Sequence, residues 1–252
     1  MKVIILAAGQ GTRLRPLTNN QPKCMVDLQG KPLIDHQLDV LKDVGISDLH
    51  IVTGYLAEKI ERTGVRKHFN PDYASTNMVH SLFRASELMV GDKDIIITYG
   101  DIVYTKQVIQ SLIASEDPIS LGVDLNWYQY WKARMENPLE DAETLRLSDG
   151  NCVTELGGKP KNYDQIEGQY MGLIKIRADY VKNFKKFWET MDRSAIYDGK
   201  DFDNMFMTSF LQCLINAGWQ VRATFVHNGW LEVDTPKDLK IDTSAFWAAH
   251  SV

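Results

Sequence analysis

The sequence predicts an α/β fold: a single domain, residues 1–252, around a mixed, mostly parallel central sheet. Three observations carry this. The apolar run Lys2–Leu6 leads into Ala7-Ala8-Gly9, as expected of a strand buried on both faces. Apolar strands then alternate with segments of helical spacing through the first half. Finally, no Pro/Gly/Ser-rich linker, repeat or low-complexity stretch divides the 252 residues, a length one large domain accommodates.

The elements follow in order. Leu33–Val44 sets Leu33, Leu38 and Leu41 at helical spacing and stops at Gly45, predicting a helix. Asp48–Thr53 reads as the second strand, Met78–Met89 as a helix, and Asp94–Thr98 as a strand ending at Tyr99-Gly100-Asp101. A helix at Gln107–Ala114 and a strand at Ile119–Val123 complete the alternation. Glu143–Leu147 and Cys152–Leu156 then flank Ser148-Asp149-Gly150-Asn151, a β-hairpin pattern expected to form a small β-rich lid insertion. Beyond it come the strand Tyr170–Ile176, the helices Asp179–Met191 and Asp203–Ala217, and strands near Gln220–Val226 and Trp230–Val233. A short helix is expected from Thr235-Pro236, with proline at its first position.

Composition narrows the function. Hydrophobic residues at 44% and charged residues at 24% exclude a disordered or fibrous chain. A net charge of −5 argues against non-specific nucleic-acid binding. Cys24, Cys152 and Cys213 are odd in number and widely spaced, so neither a disulfide framework nor a cysteine zinc site is indicated. The N-terminal apolar stretch is too short for a signal sequence and no run spans a membrane, which predicts a cytoplasmic protein. Residues 1–31 nevertheless carry Lys2, Arg13, Arg15, Lys23 and Lys31 against Asp27 alone. That local excess suggests an anionic ligand at this end, with a solvated basic surface as the alternative.

Leu6-Ala7-Ala8-Gly9-Gln10-Gly11-Thr12-Arg13-Leu14, followed by Pro22-Lys23, is the most informative segment. Small residues at a strand end let backbone N–H groups approach phosphate, and a basic side chain then neutralises it. The dinucleotide fingerprint fails because Leu14 stands where it needs glycine, and the P-loop fails for want of Gly-Lys-Ser/Thr. A glycine pair alone would equally serve a tight turn. Together, however, these residues resemble the nucleotidyltransferase signature L-A-A-G-x-G-x-R with P-K about ten residues later. This family joins a nucleoside triphosphate to a sugar phosphate or a small organic phosphate. The resemblance continues through Tyr99-Gly100-Asp101 and Glu232-Val233-Asp234, so it covers nearly the whole chain. The stretches Asp72–Ser81, Asn137–Thr144 and Gln169–Leu173 are similar to the branch that cytidylylates phosphocholine, phosphoglutamine and related phosphates or phosphonates. Where the sugar-phosphate branch has a Gly-Leu-Ala-type stretch, this chain has Asn77-Met78-Val79.

The resemblance implies a nucleotide-diphosphosugar transferase architecture, which is Rossmann-like, and assigns roles. Lys23, Arg13, Asp101 and Asp234 would be catalytic. CTP would lie against Leu6, Ala7, Ala8, Gly9, Gly11, Thr12, Arg13 and Lys23, with cytosine near Ser75, Thr76 and Asn77. Asp101 and Asp234 would hold Mg²⁺. Taken singly, each aspartate also suits a turn or helix cap, and Asp234 before Thr235-Pro236 is placed as an N-cap. Lys159 before Pro160 resembles the family's acceptor-phosphate lysine, although Gly158 replaces the usual acid and a solvated loop lysine remains the alternative.

Trp127 and Trp131 share one face if Trp127–Trp131 is helical, and an aromatic wall suits a cationic head group. Glu140, Asp141 and Glu143 would complement an amine, and Gln169, Tyr170 or Arg134 would serve its other polar groups. An aromatic face packed on the core beside a solvated acidic loop is the competing reading. His80, His227 and His250 lack ligand spacing and are read as structural. The expected partners are therefore small molecules, CTP and an organic phosphate, with neither nucleic acid nor membrane and with a homodimer left open. A sugar-1-phosphate nucleotidyltransferase, a glycosyltransferase of similar fold and a non-catalytic regulatory homologue remain as rivals.

Overall fold

The computed structural model describes residues 1–247; His250 lies outside them. The strands are β1 (Lys2–Ala7), β2 (Asp27–Leu28), β3 (Lys31–Pro32), β4 (Asp48–Thr53), β5 (Val65–Phe69), β6 (Ile95–Tyr99) and β7 (Ile102–Tyr104), then β8 (Ile119–Asp124), β9 (Leu145–Ser148), β10 (Cys152–Leu156), β11 (Gln169–Ile176), β12 (Val221–Val226) and β13 (Trp230–Glu232). The helices are α1 (Leu33–Asp43), α2 (Met78–Phe83), α3 (Lys106–Ala114), α4 (Trp127–Arg134), α5 (Ala178–Thr190), α6 (Met207–Asn216) and α7 (Ser244–Trp247). One nine-stranded sheet runs β5-β4-β1-β6-β11-β8-β12-β10-β9.

β1 lies at the centre because all six of its residues are buried and it pairs in parallel with β4 on one side and β6 on the other. The chain thus reverses direction across the sheet at β1, and ligands of open α/β sheets bind beyond strand ends at such a point. β11 runs antiparallel to both β6 and β8, so its first residues lie at the edge where β6 and β8 end. Its register with β8 shifts between Tyr170 and Ile174. The 145–156 hairpin extends the edge of the same sheet through Cys152 opposite Arg222 rather than standing off as a separate layer.

Most predicted elements stand within a residue or two. The expected helix 78–89 stops at Phe83 and resumes as a 3-10 turn at Ser86–Leu88. The helix expected from Asp203 begins at Met207, because the Asp201 carboxylate caps a separate turn at Phe202–Asn204. In place of the helix expected from Thr235-Pro236 there is a 3-10 turn at Asp238–Lys240, and α7 begins only at Ser244. β2, β3, β5 and β7 are too short or too polar to show a two-residue alternation. The three cysteines are free thiols. No helix among the described residues is long and apolar enough to cross a membrane.

Candidate active site

Parallel pairing sets Leu6 beside Tyr99, so the loops leaving β1 and β6 emerge side by side. Gly100 crosses directly over β1: its N–H donates to the Leu6 carbonyl at 2.9 Å, and a Cβ there would lie 2.7 Å from that oxygen. Beneath the turn, the fully buried Gln37 of α1 donates to the carbonyls of Tyr99 and Ile102 at 2.8 and 2.7 Å. Asp101 therefore projects from a turn held on both sides. The two-stranded ribbon β7–β13 pairs Glu232 with Ile102, and the Val233 N–H donates to the Asp101 carbonyl at 3.0 Å. This ribbon brings Asp234 beside Asp101.

Carboxylate oxygens of Asp101, Glu232 and Asp234 lie within 4.8 Å of one another. The Lys23 ammonium bridges two of them, 2.6 Å from Asp101 Oδ2 and hydrogen-bonded to Asp234 Oδ1. Arg13, largely exposed, reaches Asp234 Oδ2 at 2.9 Å. Burial by itself would depress the Lys23 ammonium, but Asp101, Asp234 and Glu232 reverse this and hold it above the usual lysine range. Burial pushes Glu232 up to about 7, opposed by Arg134 and reinforced by Asp234 and Asp101. Asp234 does not cap a helix, the alternative its position before Thr235-Pro236 allowed. Instead Asp238 Oδ2 accepts from the N–H groups of Asp234 and Thr235 at 2.9 and 2.7 Å, which fixes the backbone at Asp234.

The donor set suits a hard divalent cation, which takes carboxylate oxygens. Asp101 Oδ1 supports the fit, being buried without a hydrogen-bond partner. Glu232, the third carboxylate, was not singled out as a ligand from sequence. Its signal was the i, i+2 spacing with Asp234, which puts both side chains on one face of an extended segment.

Two clefts meet at this cluster, sharing Asp101, Tyr99 and Met78. The first, of about 580 Å³, is lined by Leu6, Ala7, Ala8, Gly9 and Lys23 on one side and by Tyr73, Thr76, Asn77 and Met78 on the other. Gly11 lies behind Lys23 at φ 61°. Thr12 is exposed and, like Ser75, does not line the cleft. Thr76 and Asn77, expected near cytosine, line this cleft, and their side chains are hydrogen-bonded within the protein. Asn77 Oδ1 accepts from the Met78 N–H as the cap of α2, and its Nδ2 donates to the Asn204 carbonyl. Thr76 Oγ1 donates to the Asp72 carbonyl and accepts from Asn70. These groups shape the wall.

The second cleft, about 830 Å³, is walled by Trp131, Trp230, Tyr170, Tyr99 and Phe206, with Asp141, Glu143, Gln169 and Thr208 as polar members beside the three clustered carboxylates and Arg13. Arg13 opens onto this cleft rather than the first. Asp124 positions Trp230 by accepting from its indole N–H at 2.9 Å. Trp131 donates to Asp141 at 3.2 Å. Burial first, then Glu232, Asp141 and Asp198, push Glu143 up to about 7, with Lys159 opposing.

Four expected acceptor residues lie elsewhere. α4 is helical and sets the Trp127 and Trp131 rings 6.0 Å apart, but only Trp131, the later member, lines the cleft; Trp127 is buried behind it against Tyr163. Glu140 is exposed in the turn Pro138–Glu140, and Lys159, also exposed, donates to the Glu140 carbonyl at 2.5 Å. Arg134 is buried and committed to Glu232 at 2.6 Å and Asp238 at 3.2 Å, so it braces the carboxylates from behind. His80 pairs with Asp203 and His227 with Asn126, in structural roles as expected.

A Cβ on Gly11 would lie 2.9 Å from the Lys23 Cβ in a backbone conformation that side chains disfavour. Gly11→Ala is therefore expected to displace the ammonium and lower turnover by up to roughly 10²-fold, with the far-UV spectrum unchanged. Steady-state kinetics beside circular dichroism check this, and wild-type turnover would show that the loop absorbs the methyl.

An open sheet with a small-residue loop, a bridging lysine and clustered carboxylates at the meeting of two clefts defines an enzyme of the nucleotidyltransferase class. The family model of the MobA-like NTP transferase domain matches residues 3–139, and the chain belongs to this family. It is 42% identical over 250 residues to the CTP:phosphoglutamine cytidylyltransferase of Campylobacter jejuni, covering 96% of this chain and 98% of that protein. Over 91 residues, 34% of this chain and 40% of the other, it is 50% identical to the choline-phosphate cytidylyltransferase of Streptococcus pneumoniae. The solved CTP:phosphocholine cytidylyltransferase from the same organism superposes with a TM-score of 0.69 at 25% identity, covering 95% and 96% of the two chains.

Proposed function

We propose that this protein, acting as one catalytic domain in the cytoplasm, transfers CMP from CTP to a small phosphorylated acceptor with a cationic head group. An acceptor phosphate oxygen attacks the α-phosphorus, the bond from that phosphorus to the β-bridging oxygen breaks, and pyrophosphate leaves with the electron pair. The observation that carries the reading is the junction of the two clefts at Asp101 and Lys23. Nucleotide in the first cleft and acceptor in the second would meet there, and the extended similarity to cytidylyltransferases supports the choice of CTP.

Such transfer needs positioning and charge neutralisation rather than a side-chain nucleophile. Lys23 would neutralise the α-phosphate, Arg13 would steady the triphosphate, and the β1 loop would let backbone N–H groups approach it. Asp101 and Asp234, with Glu232, would hold Mg²⁺. When bound, the ion supplies charge neutralisation on the triphosphate. Trp131, Trp230, Asp141 and Glu143 would receive the acceptor's cation.

Pyrophosphate release on crossing CTP, UTP, dTTP, GTP and ATP with phosphocholine, phosphoglutamine, 2-aminoethylphosphonate and a hexose-1-phosphate tests this. CTP with an ammonium-bearing acceptor should be fastest. A preference for the hexose phosphate would replace the reading with a sugar-phosphate nucleotidyltransferase.

Glu143 adds a pH signature. Below its value of about 7 the carboxyl is protonated and loses its attraction for a cation. The acceptor KM should therefore rise as pH falls through 7, and Glu143→Gln should reduce that rise, leaving the part due to Glu232, which has a similar value and lines the same cleft. A pH-independent acceptor KM in the wild type would exclude Glu143 from the head-group site.

A further inference from the structure

Gln169 and Tyr170 open β11 at the wall of the second cleft, and each is only 7% exposed. Buried polar atoms almost always have partners. Gln169 Oε1 and the Tyr170 hydroxyl have none. The Gln169 amide donates weakly from Nε2 to the Tyr170 carbonyl at 3.4 Å, which leaves its oxygen as the uncommitted end. Glu143, lining the same cleft, has neither ion pair nor hydrogen bond among the described residues. A carboxylate and an amide oxygen can only accept hydrogen bonds.

We propose that Gln169 is a specificity-determining residue, selecting acceptors whose cationic head carries at least one N–H and rejecting quaternary ammonium. This rests on the cytidylyltransferase reading above and concerns the second cleft of that site. The rings of Trp131 and Trp230 attract either kind of cation, so they do not choose between them. The hydrogen-bond inventory does. An N–H-bearing ammonium gives Gln169 Oε1 the donor it lacks, whereas a quaternary head has no donor to give and leaves it as bare as before. Sites built to hydrogen-bond a group discriminate strongly against analogues without it.

The test follows pyrophosphate release with CTP for phosphoethanolamine, its N,N-dimethyl form and phosphocholine, and for phospho-L-glutamine beside its Nα-trimethyl derivative. N–H acceptors should exceed their quaternary counterparts by about 10- to 100-fold in kcat/KM, the effect of one buried unsatisfied group. The dimethyl form keeps one N–H at nearly the bulk of choline, so it should group with phosphoethanolamine. Gln169→Met should bring the ratio close to one by lowering the N–H acceptors selectively.

Equal or faster use of phosphocholine by the wild type overturns the proposal without any variant. So does a dimethyl form as poor as phosphocholine, which would make bulk the criterion. A merely structural Gln169 would slow every acceptor alike and leave the ratio unchanged, which also overturns it. If no ammonium acceptor reacts but a hexose-1-phosphate does, the functional reading itself fails.

Discussion

Lys23→Ala should lower kcat by about 10²–10³-fold while changing the KM for CTP far less. The expected size is that of removing one preorganised donor from a developing charge. The asymmetry follows from geometry. Lys23 is held by Asp101 and Asp234 before any ligand arrives, so its position involves little reorganisation during reaction. The Ala8-Gly9 backbone and Arg13 remain to bind ground-state triphosphate. Removing the ammonium also leaves Asp101 without its cation and Asp234 with only Arg13 and the more distant Arg134. This partly buried loss should cost less than the about 3–5 kcal/mol of breaking a fully buried pair. The variant should accordingly show a lower Tm that added Mg²⁺ partly restores, since the ion replaces the lost positive charge. Steady-state kinetics over a CTP series and thermal melts with and without Mg²⁺ check both parts. A change confined to KM would reduce Lys23 to a ground-state contact.

Asp234→Asn is expected to be comparably severe, and Asp101→Asn likewise. Asp234 meets Lys23 through one oxygen and Arg13 through the other, with Arg134 Nη2 3.8 Å away. The amide preserves shape but not charge, so Lys23 and Arg13 lose their common anchor and a cation loses one ligand. Turnover should fall roughly 10²–10³-fold. Glu232 and Asp101 still face Lys23, so the fold should persist. The discriminating measurement is activity across a Mg²⁺ titration: the variant should need far more metal for its residual rate. Wild-type turnover at low Mg²⁺ would remove Asp234 from the site.

Much of this site was readable in the sequence because its loops follow strongly apolar strands. The runs before Gly9 and before Gly100 set the strand ends, and the charged residues after them had to fall in one crevice. Glu232 and Gln37 were harder. Gln37 sits in an ordinary amphipathic helix, and nothing local says that its amide will reach the carbonyls of Tyr99 and Ile102. The three-residue β7 left Ile102–Tyr104 looking like loop, which hid the ribbon that aligns Asp101 with Asp234. The second cleft, proposed for the acceptor, was half legible. Trp131, Asp141, Glu143, Gln169 and Tyr170 came together, while Trp127, Glu140 and Lys159 did not. Sequence spacing gives the face of a helix but not which turn of it meets a cavity.

Lys23 and Asp234 lie 211 positions apart, and their ion pair closes the site. Loop closure over such distances is entropically unfavourable until flanking structure has formed, so contacts of this kind are among the last made as a chain folds. A nascent chain still lacking β13 would carry the β1 loop, Lys23 and Asp101 with neither Glu232 nor Asp234. It could assemble no carboxylate cluster, whatever the state of its first strands. Onset of catalysis during refolding should therefore trail recovery of the β1–β4–β6 core, making the enzyme its own reporter of completed folding.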